Sequence, residues 1–292
     1  MPENRTSLTL ASHYLDIDQP ERTLEILDHP DSDVINHPYF WYLRGQAFYR
    51  LEKFESARQA AQKGLALAPQ DVQILLLLCN CQSRLKNLAE AERAILAALQ
   101  QAPENPQLIC RYARLVAEGG QLDKSERLLQ KAEQIDPEHT AVQHLRVLLA
   151  FLRGNDNQAI AASETALLQN PEDSYAHFMK GQAQASQGQV NPAARHFQQA
   201  ARLEPMEQTF RSTARTSRYW THWLLWPLQP LYRFGTVKVW LAAIVIILGL
   251  QALGFDRASG YFALAYLVLV VYSWVMPPLL RWWLKRQHGG GR

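Results

Sequence analysis

The sequence predicts an all-α protein: an α-solenoid of helix–turn–helix repeats, followed by an interfacial helix and two transmembrane helices. Three observations carry this. Prolines recur every 34 residues, at Pro69, Pro103, Pro137, Pro171 and Pro205. Small residues recur in phase with them. Beyond residue 235 two apolar runs lie close together, preceded by a cluster of tryptophan and arginine. A fixed period of this length marks a repeat array, and about 20 apolar residues suffice for a helix to span a bilayer.

Each proline follows an apolar-periodic segment ending in LALA, LQQA, EQID, LLQN or ARLE. Proline cannot continue that helix but can open the turn to the next. Twelve residues before the prolines stand Ala57, Ala91, Ser125, Ala159 and Ala193. Five before stand Gly64, Ala98, Ala132, Ala166 and Ala200. Twenty-four before stand Gly45, Cys79, Ala113, Val147 and Gly181. These are the phases where two helices of one repeat must approach closely. Gly120, Gly154 and Gly188, seventeen before their prolines, mark a helix end and a turn. Five units therefore fill residues 38–205.

The first unit, PYFWYLRGQAFYRLEKFESARQAAQKGLALAP, resembles the tetratricopeptide repeat through Trp41, Gly45, Phe48, Ala57 and Pro69. It departs at Arg44, where leucine is usual, and at Ala61, where an aromatic is usual. The last unit supplies Gly181, Ala193, Phe197, Ala200 and Pro205. The resemblance implies two antiparallel helices per repeat, the first lining a concave face. Residues 1–37 read as a degenerate capping repeat. A 34-residue shift takes Gly45 to Ala11, Phe48 to Tyr14 and Ala57 to Thr23, with Pro20 near the second helix start and His29-Pro30 ending it.

By the same resemblance the inward positions of the first helices can be named. Tyr39, Tyr42, Gln46, Tyr49, Leu76, Asn80, Arg114, His144, Phe151, Tyr175, Phe178 and Gln182 form the candidate partner-binding groove. The set is rich in aromatic and amide groups and nearly free of charge. That suits an apolar helix or an extended peptide held through side-chain amides. Packing of these side chains against one another is the competing expectation. The Lys/Asn/Arg clamp with which chaperone-binding relatives hold a C-terminal carboxylate is not expected. Its matching places are Tyr42, Gln46, Leu77, Gln107 and Arg111, of which Arg111 alone is cationic.

Charge divides the chain. Residues 1–205 carry 20 Lys+Arg against 25 Asp+Glu, and residues 206–292 carry 10 against 2. A nucleic-acid binder places its cations on the folded domain. An acidic body with a basic tail fits a tail near anionic lipid. Val239–Leu250 is apolar throughout and reaches spanning length if the helix starts at Thr236 with Lys238 snorkelling. Tyr261–Leu280 runs twenty residues without a charge. With the polar link Asp256–Gly260 between them, residues 236–280 read as a transmembrane hairpin. Arg233 and Lys238 precede it, and Arg281, Lys285 and Arg286 follow it. The positive-inside bias then puts both termini in the cytoplasm of a bacterial-type inner membrane.

Residues 206–235 read as an amphipathic juxtamembrane segment, helical from Met206 to Trp226. Arg211, Arg215, Arg218 and His222 form one stripe, with Trp220, Trp223 and Trp226 about a third of a turn away. Indoles favour the headgroup level, and arginines there meet phosphates. Trp282 and Trp283, in the basic tail 281–292, repeat this chemistry at the exit. A last capping helix for the repeats is compatible with lipid contact.

Enzymatic signatures are not found. The three cysteines form no CxxC and follow no secretory signal, so they read as reduced thiols packed in cytosolic helices. There is no GxGxxG, GxxxxGK[ST] or HExxH. The nine histidines are scattered, and neither apolar run holds a carboxylate that would mark an ion pathway. Glu90, Glu92, Glu126 and Glu133 are expected on solvated outer faces. No catalytic residue, metal or cofactor is expected. The chain thus reads as a membrane-anchored scaffold that binds a protein or peptide partner at the cytoplasmic face and contacts membrane lipid, but not nucleic acid. The alternative is an accessory subunit whose hairpin packs against another integral membrane protein in a larger complex.

Overall fold

The computed structural model describes residues 3–28, 32–228 and 235–288, which form helices and no strand. They fall into two contact units, Met1–Leu149 and Ala150–Arg292. The first unit holds α1 (Glu3–Asp16), α2 (Pro20–Leu27), the short α3 (Ser32–Ile35), α4 (Pro38–Arg50), α5 (Phe54–Leu67), α6 (Val72–Arg84), α7 (Leu88–Gln101), α8 (Pro106–Glu118), α9 (Leu122–Ile135) and most of α10 (Thr140–Leu152). The second holds α11 (Asp156–Gln169), α12 (Ser174–Ser186), α13 (Val190–Leu203), α14 (Gln208–Trp220), a 3-10 turn (Trp223–Leu228), α15 (Thr236–Ala252) and α16 (Asp256–His288).

Local chemistry starts and stops the repeat helices. Two residues after a repeat proline, Asp71, Asn105 and Asp173 cap the first helix, each side chain accepting a backbone N–H of its first turn. Such caps are worth about 1 kcal/mol each. The first helices of the repeats, α4, α6 and α8 among them, end in one turn geometry. Lys53 N–H donates to Phe48 O at 2.9 Å, Asn87 to Gln82 at 2.8 Å and Gln121 to Val116 at 3.1 Å. The residue before each donor is left-handed: Glu52, Lys86 and Gly120 at φ 58°, 66° and 80°.

The small phases do what the period implies. A Cβ on Gly45 would stand 2.6 Å from Leu77 Cδ2, and one on Gly181 would stand 2.7 Å from the Phe197 ring. Ala57, Ala91, Ser125, Ala159 and Ala193 are all buried. Where this phase carries a hydroxyl, the hydroxyl bonds the partner helix twelve residues earlier. Ser125 Oγ donates to Ala113 O at 2.7 Å, and Thr23 Oγ1 donates to Ala11 O at 3.2 Å. The carboxylates are less idle than expected. Glu92 on α7 accepts from Tyr112 on α8 (2.6 Å) and from Lys124 on α9 (3.1 Å). Glu133 on α9 accepts two bonds from Arg146 on α10.

Helix α14 continues the repeat pattern. Glu207 caps it, and its buried Phe210 and Ala214 pack near Ala193, Phe197 and Phe178 of α12 and α13. It ends at Trp220, not at Trp226. Thr221 and His222 leave the helix, and His222 Nδ1 accepts the Leu224 N–H at 3.3 Å, opening the 3-10 turn that contains Pro227. The expected single helix is therefore two elements, and His222 falls outside the arginine stripe.

The tail differs from expectation in two further ways. Asp256–Gly260 is not a link but the first turn of α16, where Asp256 meets the positive helix end. The turn is made one step earlier, around left-handed Gly254 (φ 78°). Ser259 is consequently buried between α15 and α16, its Oγ donating to Ile247 O at 3.4 Å. Second, among the described residues only Asp256–Leu279 of α16 is long and apolar enough to cross a membrane; α15, with 17 residues, is a shorter apolar helix beside it. One candidate span stands where two were expected. His29-Pro30, Arg233 and the side chains of Trp223, Trp226, Trp282 and Trp283 lie outside the described residues.

Candidate partner groove and membrane-facing segment

In the first unit the inward positions of α4, α6, α8 and α10 form a graded surface. Tyr39 is exposed; it stacks on Tyr42 with centroids 5.9 Å apart, and its hydroxyl meets Ser12 Oγ at 3.2 Å. Tyr42, Gln46 and Tyr49 are half-buried. Tyr49 meets the Phe54 ring edge-on at 5.4 Å. Burial pushes its phenol up, against the opposing pull of the Arg111 guanidinium. Leu76, Asn80, Arg114 and His144 share one recess of about 250 Å³ with Gln107, Cys110 and Arg111. Asn80 Oδ1 accepts from Arg111 Nη2.

This recess is more cationic than the sequence suggests. Arg111 stands out in the sequence only as the lone cation of the rejected carboxylate clamp, yet it lines this recess with Arg114. Its place beside inward Cys110 is the signal that finds it. Cys110 itself is inert: burial pushes its thiol up to about 12, so it carries no thiolate at neutral pH. Cys79 and Cys81 are likewise pushed up by burial, to about 11 and about 12.

In the second unit the inward aromatics are half-buried. Phe178 lies between Phe197 (5.7 Å) and Phe210 of α14 (4.9 Å). Phe151 packs on Ala150, Ala159 and Ala183. Tyr175 is half-buried. Gln182 lines a recess of about 380 Å³ with Phe197, Thr216 and Trp220. One histidine pair emerges that the chain order hides: Nδ1 of His177 and Nδ1 of His196 stand 3.0 Å apart across α12 and α13.

Of the membrane-interface candidates, Arg211, Arg215 and Arg218 are exposed on α14, and Trp220 is half-buried against Tyr219 at 4.8 Å. The segment is fastened to α16. Tyr219 Oη donates to Pro277 O at 2.7 Å, and Tyr272 Oη donates to Leu224 O. Leu225 and Leu228 are buried beside Leu269, Tyr272 and Met276. Beyond that contact α15 and α16 are bare: Val245 is 69% exposed, Val268 61% and Trp274 77%.

Stacked antiparallel helix pairs closed by small residues define a helical-repeat solenoid. Tetratricopeptide-repeat profiles match residues 42–106 and 144–207, and a second such profile matches residues 93–149. The chain belongs to the tetratricopeptide repeat family. Its fold is similar to that of TTC0263, a thermophilic TPR protein of Thermus thermophilus, at 19% identity and a TM-score of 0.56, covering 62% of this chain and 98% of that one. It is also similar to a chain of the APC/C Cut9–Hcn1 hetero-tetramer, at 14% identity and a TM-score of 0.58, covering 73% of this chain and 42% of that one. The human IFIT1 dimer with PPP-AAAA shares the fold at 16% identity and a TM-score of 0.52, covering 71% of this chain and 54% of that one. No curated protein matches the sequence.

Proposed function

We propose that this chain is a membrane-anchored interaction scaffold. It holds a protein or peptide partner in the groove of its first repeats, on the cytoplasmic face, and contacts lipid through α14–α16. The observation that carries the anchor is the bare apolar surface of α15 and α16. Residues such as Val245, Leu248, Leu264, Val268 and Trp274 face outward around both helices, a patch larger than soluble proteins tolerate without a cover. A bilayer supplies that cover, and helices satisfy their own backbone there. The recess around Asn80, Arg111 and Arg114 supports the partner side, since its donors reach the carbonyls or carboxylates of a peptide.

The full-length protein should stay in the membrane pellet after alkaline carbonate. Release by high salt alone would refute the anchor. Photo-crosslinking from position 42 should trap a defined protein, and Arg111→Ala should weaken the capture about tenfold or more. A companion integral membrane protein held in equal amount through α15 and α16 would favour the accessory-subunit alternative.

A further inference from the structure

We propose that the recess between α13 and α14 is a binding site for anionic phospholipid headgroups. This rests on the membrane-anchor proposal. The recess measures about 470 Å³ and is lined by Arg195, Gln198, Gln199 and Arg202 from α13 and by Ala214 and Arg218 from α14. Arg195 and Arg202 stand two turns apart on one face of α13, and Arg218 meets them from the next helix.

Three properties point to an anion. No carboxylate lines the recess. All three guanidiniums are exposed, and none forms an ion pair among the described residues. Several arginines of the earlier repeats are neutralised instead, as Arg58 is by Glu55 and Arg146 by Glu133. Three unpaired cations around one hollow repel each other until an anion enters. Arginine suits phosphate because its planar fork gives two parallel hydrogen bonds. The amides of Gln198 and Gln199 add donors that glycerol and ester oxygens accept.

Position selects lipid over soluble phosphate. Arg218 adjoins Tyr219, whose hydroxyl holds the carbonyl of Pro277 at 2.7 Å. The apolar run of α16 continues through Leu279 and Leu280 to Arg281. The last turn of α14 is therefore pinned beside the end of the apolar band, the level where headgroup phosphates lie when α16 crosses a bilayer. Arg211 and Arg215 extend the same exposed charge along α14.

The test uses the full-length protein in neutral detergent, titrated with dioleoylphosphatidylglycerol or dioleoylphosphatidylcholine, with bound lipid counted by native mass spectrometry. A cation at a membrane surface is worth about fivefold in binding. The phosphatidylglycerol complex should be at least about tenfold tighter than the phosphatidylcholine complex. The triple variant Arg195→Gln, Arg202→Gln, Arg218→Gln should lose that preference. A charge-matched control, Lys86→Gln, Arg127→Gln, Lys131→Gln, should keep it. Should the triple variant lose helicity, Arg202→Gln alone decides, with an expected loss of about three- to fivefold. Equal binding of the two lipids, or a wild-type preference in the triple variant, overturns the assignment. Displacement of phosphatidylglycerol by millimolar inorganic phosphate overturns it in favour of a free anion. Displacement by a glutamate-rich peptide overturns it in favour of an acidic protein. Carbonate extraction judges the anchor separately: release there with lipid selectivity intact removes the anchor and leaves the recess.

Discussion

Helices α6 and α15 are both rich in leucine, isoleucine and valine, but they meet opposite surroundings. In α6, Ile74, Leu75, Leu77, Cys79 and Cys81 are all buried. In α15 Ala243 alone is buried among the described side chains, while Val237, Leu241, Val245 and Leu248 lie open. The cause is the neighbour that the chain supplies to each helix. A repeat helix is covered by its own partner and by the next repeat, so its apolar face finds a cover about 34 residues away. Among the described residues, helix α15 packs chiefly against α16, with one side-chain hydrogen bond between them, through Ser259. The same hydrophobicity thus encodes a protein core in one region and a demand for another solvent in the other.

Glycine gives the sharpest way to break that comparison. At Gly181 even a Cβ would meet the Phe197 ring at 2.7 Å and Ala193 O at 3.1 Å. Gly181→Leu must push α12 from α13 and should cost about 3 kcal/mol or more, lowering the melting temperature of the repeats by roughly 10 °C. A Cβ on Gly249 would meet nothing within 4 Å beyond its own helix, so Gly249→Leu should leave the melting curve unchanged. Equal losses at both positions would mean that the hairpin is packed as tightly as the repeats. Circular dichroism melts of the two full-length variants decide it.

These contrasts are not equally legible in the sequence. The period is, because proline, glycine and alanine mark turns and close approaches locally. The caps at Asp71, Asn105 and Asp173 carry a readable signal, two residues after each proline, which the proline period alone does not use. The turn at Gly254 is also readable, as a glycine ending an apolar run; the polar residues after it draw the expected link too far downstream. Other features depend on packing alone. Thr221 and His222 hold no strong helix breaker, so the end of α14 is hidden. Phe178 has an inward phase, but whether it is bare is decided by Phe210, which lies 32 positions on in the chain. Arg195 and Arg218 share a recess only because α13 and α14 lie together.

Acid should separate the two regions more gently. His177 Nε2 lies 3.1 Å from Pro171 O, which can only accept, so this nitrogen carries a proton. When His177 is neutral its Nδ1 accepts from Nδ1–H of His196. Burial pushes His196 down to about 4, helped by the charges of Lys180, His177 and Arg195 and opposed by Glu164. The folded value lies below the unfolded one, so the unfolded chain binds the extra proton. The stabilisation is complete above about pH 6.5 and is lost as pH falls towards 4. Because His196 is half-exposed, solvent screening leaves about 1 kcal/mol. The melting temperature should drop between pH 7 and pH 4.5, and His196→Gln should flatten that slope. The stretch of α16 between Ala258 and Leu279 holds no Asp, Glu or His, so its helicity should not follow. An unchanged slope in the variant would locate the acid sensitivity elsewhere.

The smallest effect concerns a feature that both regions share. The turn after α15 repeats the geometry of the repeat turns, with Gly254 N–H donating to Gln251 O at 3.0 Å and Phe255 N–H to Leu250 O at 2.9 Å. Gly254, Gly120, Gly154 and Gly188 occupy the left-handed position without strain, whereas Glu52 and Lys86 hold it at φ 58° and 66°. A left-handed conformation costs an L-residue roughly 1–2 kcal/mol, while glycine gives back roughly 0.5–1 kcal/mol through the freedom it gains in the unfolded chain. Both side chains are exposed, so removing them sacrifices no packing. Glu52→Gly and Lys86→Gly should each stabilise the repeats by about 0.5 kcal/mol, and together raise the melting temperature by roughly 2–4 °C. Gly254→Ala should do the reverse, and only to the hairpin. A rise in melting temperature after Glu52→Gly with no loss after Gly254→Ala would mean that the two turns look alike but bear different loads, the hairpin being held by its surroundings and the repeats by their own backbone.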